Sequence, residues 1–118
     1  MTAGNILVIA PNADFRQSLA FALETEGYSV ETRGDLASLG QLERFDAIVL
    51  DHKAIRQEPI DRVVHANHSQ VPVILLASRP GDWLATKAFR TVPTPLMGSV
   101  LSDAVADAVA IPHATHLS

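Results

Sequence analysis

Three stretches of the chain are apolar at every position and no longer than a strand: Ile6-Leu7-Val8-Ile9-Ala10, Ala47-Ile48-Val49-Leu50 and Val71-Pro72-Val73-Ile74-Leu75-Leu76-Ala77. A strand with one face in water alternates apolar and polar residues. A strand without that alternation must be covered on both faces, which is the condition of a parallel sheet between two helical layers. Pro72 is tolerated at the beginning of such a strand, where its missing N–H breaks no ladder.

The segments between the runs carry helical spacing. Phe15, Leu19 and Leu23 recur every four residues from about Ala13 to Glu26 and would share one face. Pro11-Asn12 is a turn and cap signal before that stretch, and Gly27 is placed to end it. Asp14 would fall in the helix's first turn, where a carboxylate suits the dipole. Leu36, Leu39 and Leu42 mark a short helix, opened by Gly34-Asp35, and Ile60, Val63 and Val64 mark another over about 59–67. Asp82 caps a fourth that holds Trp83, Leu84 and Phe89. Val100, Leu101, Ala104, Val105 and Ala108 share one side of a last helix over about 98–110. Tyr28 to Thr32 alternates, as an edge strand does, and Thr91-Val92 is a brief fifth strand.

Strand and helix therefore alternate five times, which implies right-handed crossovers and a parallel sheet with helices on both faces. The expected fold is α/β and flavodoxin-like, a (βα)5 arrangement with strand order 2-1-3-4-5. At 118 residues the chain fits one domain, 1–118, with a core over about 5–110 and a tail over 111–118. Ligands of such sheets lie beyond the carboxyl ends of the strands. Here those ends are Ala10-Pro11-Asn12, Asp51-His52-Lys53 and Ala77-Ser78.

Composition excludes several chemistries. Cysteine is absent, so disulfides, thiol nucleophiles and thiolate metal sites are ruled out. The net charge of −4 gives no general attraction to nucleic acid or to an anionic membrane. No apolar run approaches the roughly 20 residues of a membrane helix, and the polar N-terminus carries no signal-peptide pattern. The expected setting is the cytoplasm, without direct contact to nucleic acid or membrane. No glycine-rich phosphate loop or nucleophile elbow is present. His65 and His68, like His113 and His116, have a spacing that can bind zinc. Without a third ligand in view, they read as solvated surface residues.

The order of these elements, with Ile6–Ile9 then Asp14-Phe15-Arg16, Leu23 to Val30, Phe45 to Asp51, Pro72 to Leu76 and Thr94-Pro95, resembles the response-regulator receiver domains of bacterial two-component signalling. In that family an Asp at the end of the third strand accepts a phosphoryl group. Two acids after the first strand hold Mg²⁺, a Ser or Thr ends the fourth strand, and a Lys precedes a Pro after the fifth. A carboxylate attacking phosphorus needs its charge and that of the phosphoryl oxygens screened, which is what the metal and the Lys do.

Carried over residue by residue, the resemblance keeps the acceptor and little else. Asp51 matches the acceptor position. The acidic pair falls on Ala10 and Pro11, the hydroxyl on Ala77 and the Lys on Thr94. Neither Ala10 nor Pro11 offers the hard oxygen ligands Mg²⁺ requires. Asn12 is near but is a weaker ligand than a carboxylate. No cofactor is expected, Mg²⁺ included, and no enzymatic activity. Asp51 reads as vestigial, held by His52 or Lys53 as neighbouring cations.

The resemblance thus implies a pseudo-receiver that acts by contact with a protein: a kinase core, a neighbouring receiver or an output domain. The chain itself would be a monomer or a weak homodimer. The family's usual contact face, built from the fourth helix, fifth strand and last helix, would include Arg79, Trp83, Lys87, Arg90, Thr91 and Thr94. Trp83 suits an interface anchor and equally suits packing on its own sheet. Two alternatives stand beside this reading. One is a phosphoacceptor using Asp51. The other is a pseudo-receiver of a hybrid histidine kinase that senses a cyclic dinucleotide, c-di-GMP, through the basic 79–95 stretch.

Overall fold

The computed structural model describes residues 4–34, 44–57, 71–77, 90–93 and 99–110. Five strands form one parallel sheet: β1 (Asn5–Ile9), β2 (Ser29–Arg33), β3 (Ala47–Asp51), β4 (Val73–Ala77) and β5 (Arg90–Pro93). Their order is β2-β1-β3-β4-β5, as the alternation of strand and helix patterns predicts. Two α-helices lie among the described residues, α1 (Ala13–Glu24) and α2 (Val100–Ala110). The helices expected around Leu36–Leu42, over 59–67 and around Trp83 lie outside the described residues, as does the tail over 111–118.

The two faces of the sheet carry separate cores, and the alternation within each strand sets the division. Ile6, Val8, Ala10, Val49, Ile74, Leu76 and Val92 point to one face, where Leu19 and Leu23 of α1 and Leu101, Ala104, Val105 and Ala108 of α2 cover them. Leu7, Ile9, Ile48, Leu50, Leu75 and Ala77 point to the other and pack with Phe45, Ala54 and Val71. A strand buried on both faces has no position left for a polar residue, which is why these runs read as continuously apolar.

Both ends of α1 are written in the sequence. The Asn12 side-chain oxygen accepts from the Phe15 backbone N–H at 2.8 Å, an N-cap. At the other end the Tyr28 N–H donates to the Leu23 carbonyl and the Gly27 N–H to that of Glu24, with Gly27 at φ 99°. That pair of bonds is a Schellman closure, and its left-handed residue favours glycine. Tyr28 then packs on the core that holds Leu23.

Two details differ from the sequence expectation. Val100 does not join the buried side of the last helix but is 44 % exposed, standing at the first residue of that helix. After β3 the chain enters a 3₁₀ turn over His52–Gln57, an element the sequence pattern does not assign. Pro72 precedes β4 and serves through its carbonyl, which accepts from the Ile48 N–H at 2.9 Å.

Candidate functional site

The carboxyl ends of β1, β3 and β4 lie side by side in the sheet. Asp51, the last residue of β3, is only 4 % exposed and is the one buried charged residue among those described. A buried carboxylate needs hydrogen-bond donors. The Lys53 backbone N–H supplies one, to Oδ1 at 3.1 Å. The His52 ring nitrogen Nδ1 stands 3.5 Å from the same oxygen. The 3₁₀ turn that starts directly after Asp51 presents these groups, an Asx-type arrangement. The sequence leaves Asp51 to be held by His52 or Lys53, and the structure distinguishes the two. Lys53 reaches Asp51 through its main chain while its side chain is exposed, and the imidazole is the side chain beside the carboxylate.

Across β1 the ends differ sharply from a cation site. Ala10 is fully buried, and its N–H extends the ladder to the Arg33 carbonyl at 3.0 Å. Pro11 offers a carbonyl and no side-chain donor or acceptor. Asn12 directs its side-chain oxygen to the α1 cap. Asp14 is exposed in the first turn of α1. Ala77, at the end of β4, is buried and carries no hydroxyl. These residues do not fit Mg²⁺: two of the positions that should supply oxygen supply methyl or methylene groups. Among the described residues, no group of three or more His, Asp or Glu side chains is placed to hold a metal ion.

Arg16 occupies this end of the sheet, and its role was not read from the sequence. Its Nη1 donates to the Ala10 carbonyl at 2.8 Å and approaches the Pro11 carbonyl at 3.4 Å. Side chains on a helix lean toward its N-terminus, so a long residue one turn past the cap reaches back over the preceding loop. That rule was the available signal. The arginine places positive charge where the family resemblance leads one to expect negative charge.

Thr94, Arg79, Trp83 and Lys87 lie outside the described residues. Arg90 and Thr91 are placed as backbone in β5, opposite Ile74 and Leu75 of β4. A separate cavity of about 280 Å³ opens at the amino end of the sheet, lined by Asn5, Ser29, Val30, Glu31, Arg44 and Phe45. Arg44 lies over the Phe45 ring, 4.6 Å from its centroid, and one of its nitrogens bonds both Glu31 oxygens at 2.8 and 3.0 Å. This cluster is at the opposite end of the strands from Asp51. No described helix is long and apolar enough to cross a membrane.

The fold has well-matched counterparts among solved structures. It is similar to the non-phosphorylated receiver domain of HemR from Leptospira biflexa, with a TM-score of 0.77 and 18 % identity over 92 % of this chain and 96 % of that one. It is similar to a response regulator receiver domain protein from Clostridium thermocellum, with a TM-score of 0.74 and 25 % identity over 89 % and 93 % of the two chains. It also matches the chemotaxis response regulator CheY4 of Vibrio cholerae, with a TM-score of 0.72 and 21 % identity over 88 % and 97 %. No protein-family model matches the chain, and no curated protein matches it. The class the sheet order and these likenesses define is the response-regulator receiver fold. This chain carries Asp51 at the end of β3 and Ala10 and Pro11 after β1.

Proposed function

We propose that the chain is a pseudo-receiver: a two-component signalling domain that works by docking to a protein partner without being phosphorylated. The observation that carries this reading is the end of β1. Ala10 is buried and, like Pro11, has no side-chain oxygen, and the Arg16 guanidinium is engaged on the Ala10 carbonyl, so no carboxylate stands there to seat the Mg²⁺ on which phosphoryl transfer to Asp51 would depend. Asp51 keeps a structural part, capping the 3₁₀ turn through the Lys53 N–H. The docking face is β5 with the elements on either side of it. The partner is a kinase core or an output domain, and occupancy of the face depends on the difference in affinity between free and bound states.

The test is incubation with acetyl phosphate and Mg²⁺, read by intact mass. The expected mass is unchanged. A gain of one phosphoryl group that disappears in Asp51→Asn would replace this reading with the phosphoacceptor one. Calorimetry with c-di-GMP at high micromolar concentration is expected to give no heat, and a saturable isotherm would point to the nucleotide-sensing reading instead. Binding to the partner kinase or output domain is expected to be equal for the wild type and Asp51→Asn.

A further inference from the structure

The cavity at the amino end of the sheet takes no part in the site around Asp51, and its polar walls have a common origin. Asn5 stands opposite Ser29 across the β1–β2 ladder, and Leu7 stands opposite Glu31. Partners in a ladder point to the same face, and alternate residues of one strand do too. Asn5, Ser29, Glu31 and Arg33 therefore share the face on which Leu7 packs with Phe45. That face is apolar along β3 and β4 and turns polar at this margin.

Arg44 is held from two sides and is still only partly used. Its guanidinium lies over the Phe45 ring, and Nη2 alone meets both Glu31 oxygens. Among the described residues, Nε and Nη1 make no hydrogen bond, and neither do the Asn5 side-chain amide and the Ser29 hydroxyl. Glu31 is satisfied, because Arg33 meets it as well. The groups left unspent around the cavity are thus a guanidinium edge, an amide and a hydroxyl, all able to donate.

The charge points the same way. Two guanidinium groups face one carboxylate, a surplus of one positive charge within a chain of net charge −4. Free donors with surplus positive charge select an oxyanion. One surplus charge suits a monoanion, whereas a phosphate dianion would bring a second negative charge up against Glu31. Val30 and Phe45 add apolar lining, which favours an organic anion over an inorganic one. The volume of about 280 Å³ stands near the lower end of the range for ligand pockets, so the ligand is small.

We propose that this cavity binds a small organic monocarboxylate. The carboxylate accepts from the unused N–H groups of Arg44, with Ser29 and Asn5 as further donors, and the apolar body lies against Phe45 and Val30. The Phe45 ring and Glu31 fix the guanidinium before the ligand arrives, which lowers the cost of ordering it on binding. The site is at the opposite end of the strands from Asp51 and rests on nothing in the proposed docking function.

The experiment is amide NMR of the full chain, titrated to high millimolar concentration with benzoate or hexanoate, and separately with benzamide or inorganic phosphate. At least one of the two carboxylates is expected to give saturable shifts at Ser29, Glu31 and Phe45. Benzamide, which has the shape of benzoate without its charge, is expected to give none, and phosphate is expected to bind more weakly than the carboxylate. Arg44→Gln is expected to weaken carboxylate binding about tenfold or more. The Arg44 side chain is 56 % exposed, so this variant keeps its fold, and the dispersion of the same spectrum checks that. No saturable shift with either carboxylate would overturn the proposal. So would benzamide or phosphate binding as tightly as the carboxylate, or undiminished binding in Arg44→Gln.

Discussion

Arg16 Nη1 lies 2.8 Å from the Ala10 carbonyl oxygen, tying the second turn of α1 to the end of β1. The contact has a charged donor and is partly buried, and such bonds contribute about 1.5–3 kcal/mol. Arg16→Met keeps most of the aliphatic stem and removes the donor. It is expected to lower stability by about 1–2 kcal/mol in urea denaturation, with no change in the slope of the transition. A Cβ added at Gly34 would meet Arg16 Nη1 at 3.2 Å. Gly34→Ala is expected to cost less than Arg16→Met, because the tip of a flexible side chain can give way.

Restoring the acids tests the vestigial reading directly. The double variant Ala10→Asp, Pro11→Asp places new carboxylates beside Asp51, one of them at a fully buried position. Like charges brought together destabilise the fold, and the single Arg16 guanidinium at this end of β1 cannot neutralise three carboxylates. The variant is expected to melt below the wild type in EDTA and to recover with millimolar Mg²⁺, while the wild type shows no Mg²⁺ dependence. Differential scanning calorimetry reads both. A wild-type melting temperature that rises with Mg²⁺ would count against the account of the β1 end.

Gly27 closes α1 at φ 99°, where a Cβ is strained. Gly27→Ala is expected to destabilise by about 1–2 kcal/mol, and Asn12→Ala at the other end by about 0.5–2 kcal/mol. The sites are at opposite ends of one helix and share no partner, so the double variant should be close to additive. Chemical denaturation of the four proteins checks this.

Tyr28 is the single tyrosine, and its phenol is held above the ordinary value of 10.0, first by burial and then by the nearby charge of Glu26. The sign follows from linkage. The folded state keeps the phenolic proton to higher pH than the unfolded state, so the stability it contributes is intact below the unfolded value and is lost as pH rises through the folded one. Ultraviolet titration of the native protein is expected to show the tyrosine ionising later than in urea. Tyr28→Phe should flatten the fall in stability above pH 10.0.

Much of this architecture is legible in the residues alone. Continuous apolar strands require burial on both faces, so Ile6–Ala10 and Ala47–Leu50 dictate a two-layered parallel sheet before any contact is known. Asn12 and Gly27 mark the ends of α1 because each satisfies a local backbone demand. The site was harder to read. The identity of Asp51, Ala10, Pro11 and Ala77 could be carried over from a pattern, but what Asp51 touches depends on the 3₁₀ turn after β3, and no periodicity announces a turn of that kind. Arg16 was visible as a residue and not as a contact, because its partner is a carbonyl oxygen, which every residue has. The same blindness considered only the side-chain charges of His52 and Lys53 as partners for Asp51, when the Lys53 backbone N–H is the hydrogen-bond donor in place.

The position of β2 has a consequence for how copies of this protein behave in a crowded solution. It is the margin of the sheet, and a bare margin invites a strand from another molecule to extend the ladder. Glu31 sits in the middle of that strand, ion-paired with Arg33 beside it and with Arg44 from the approach to β3. An incoming strand would have to strip water from this charged triad before it could pair. Such exposed ion pairs contribute little to the stability of a single molecule. They act instead as a guard rail: neutralising Glu31, Arg33 and Arg44 together would leave the folded monomer much as it is and make it prone to stacking edge to edge.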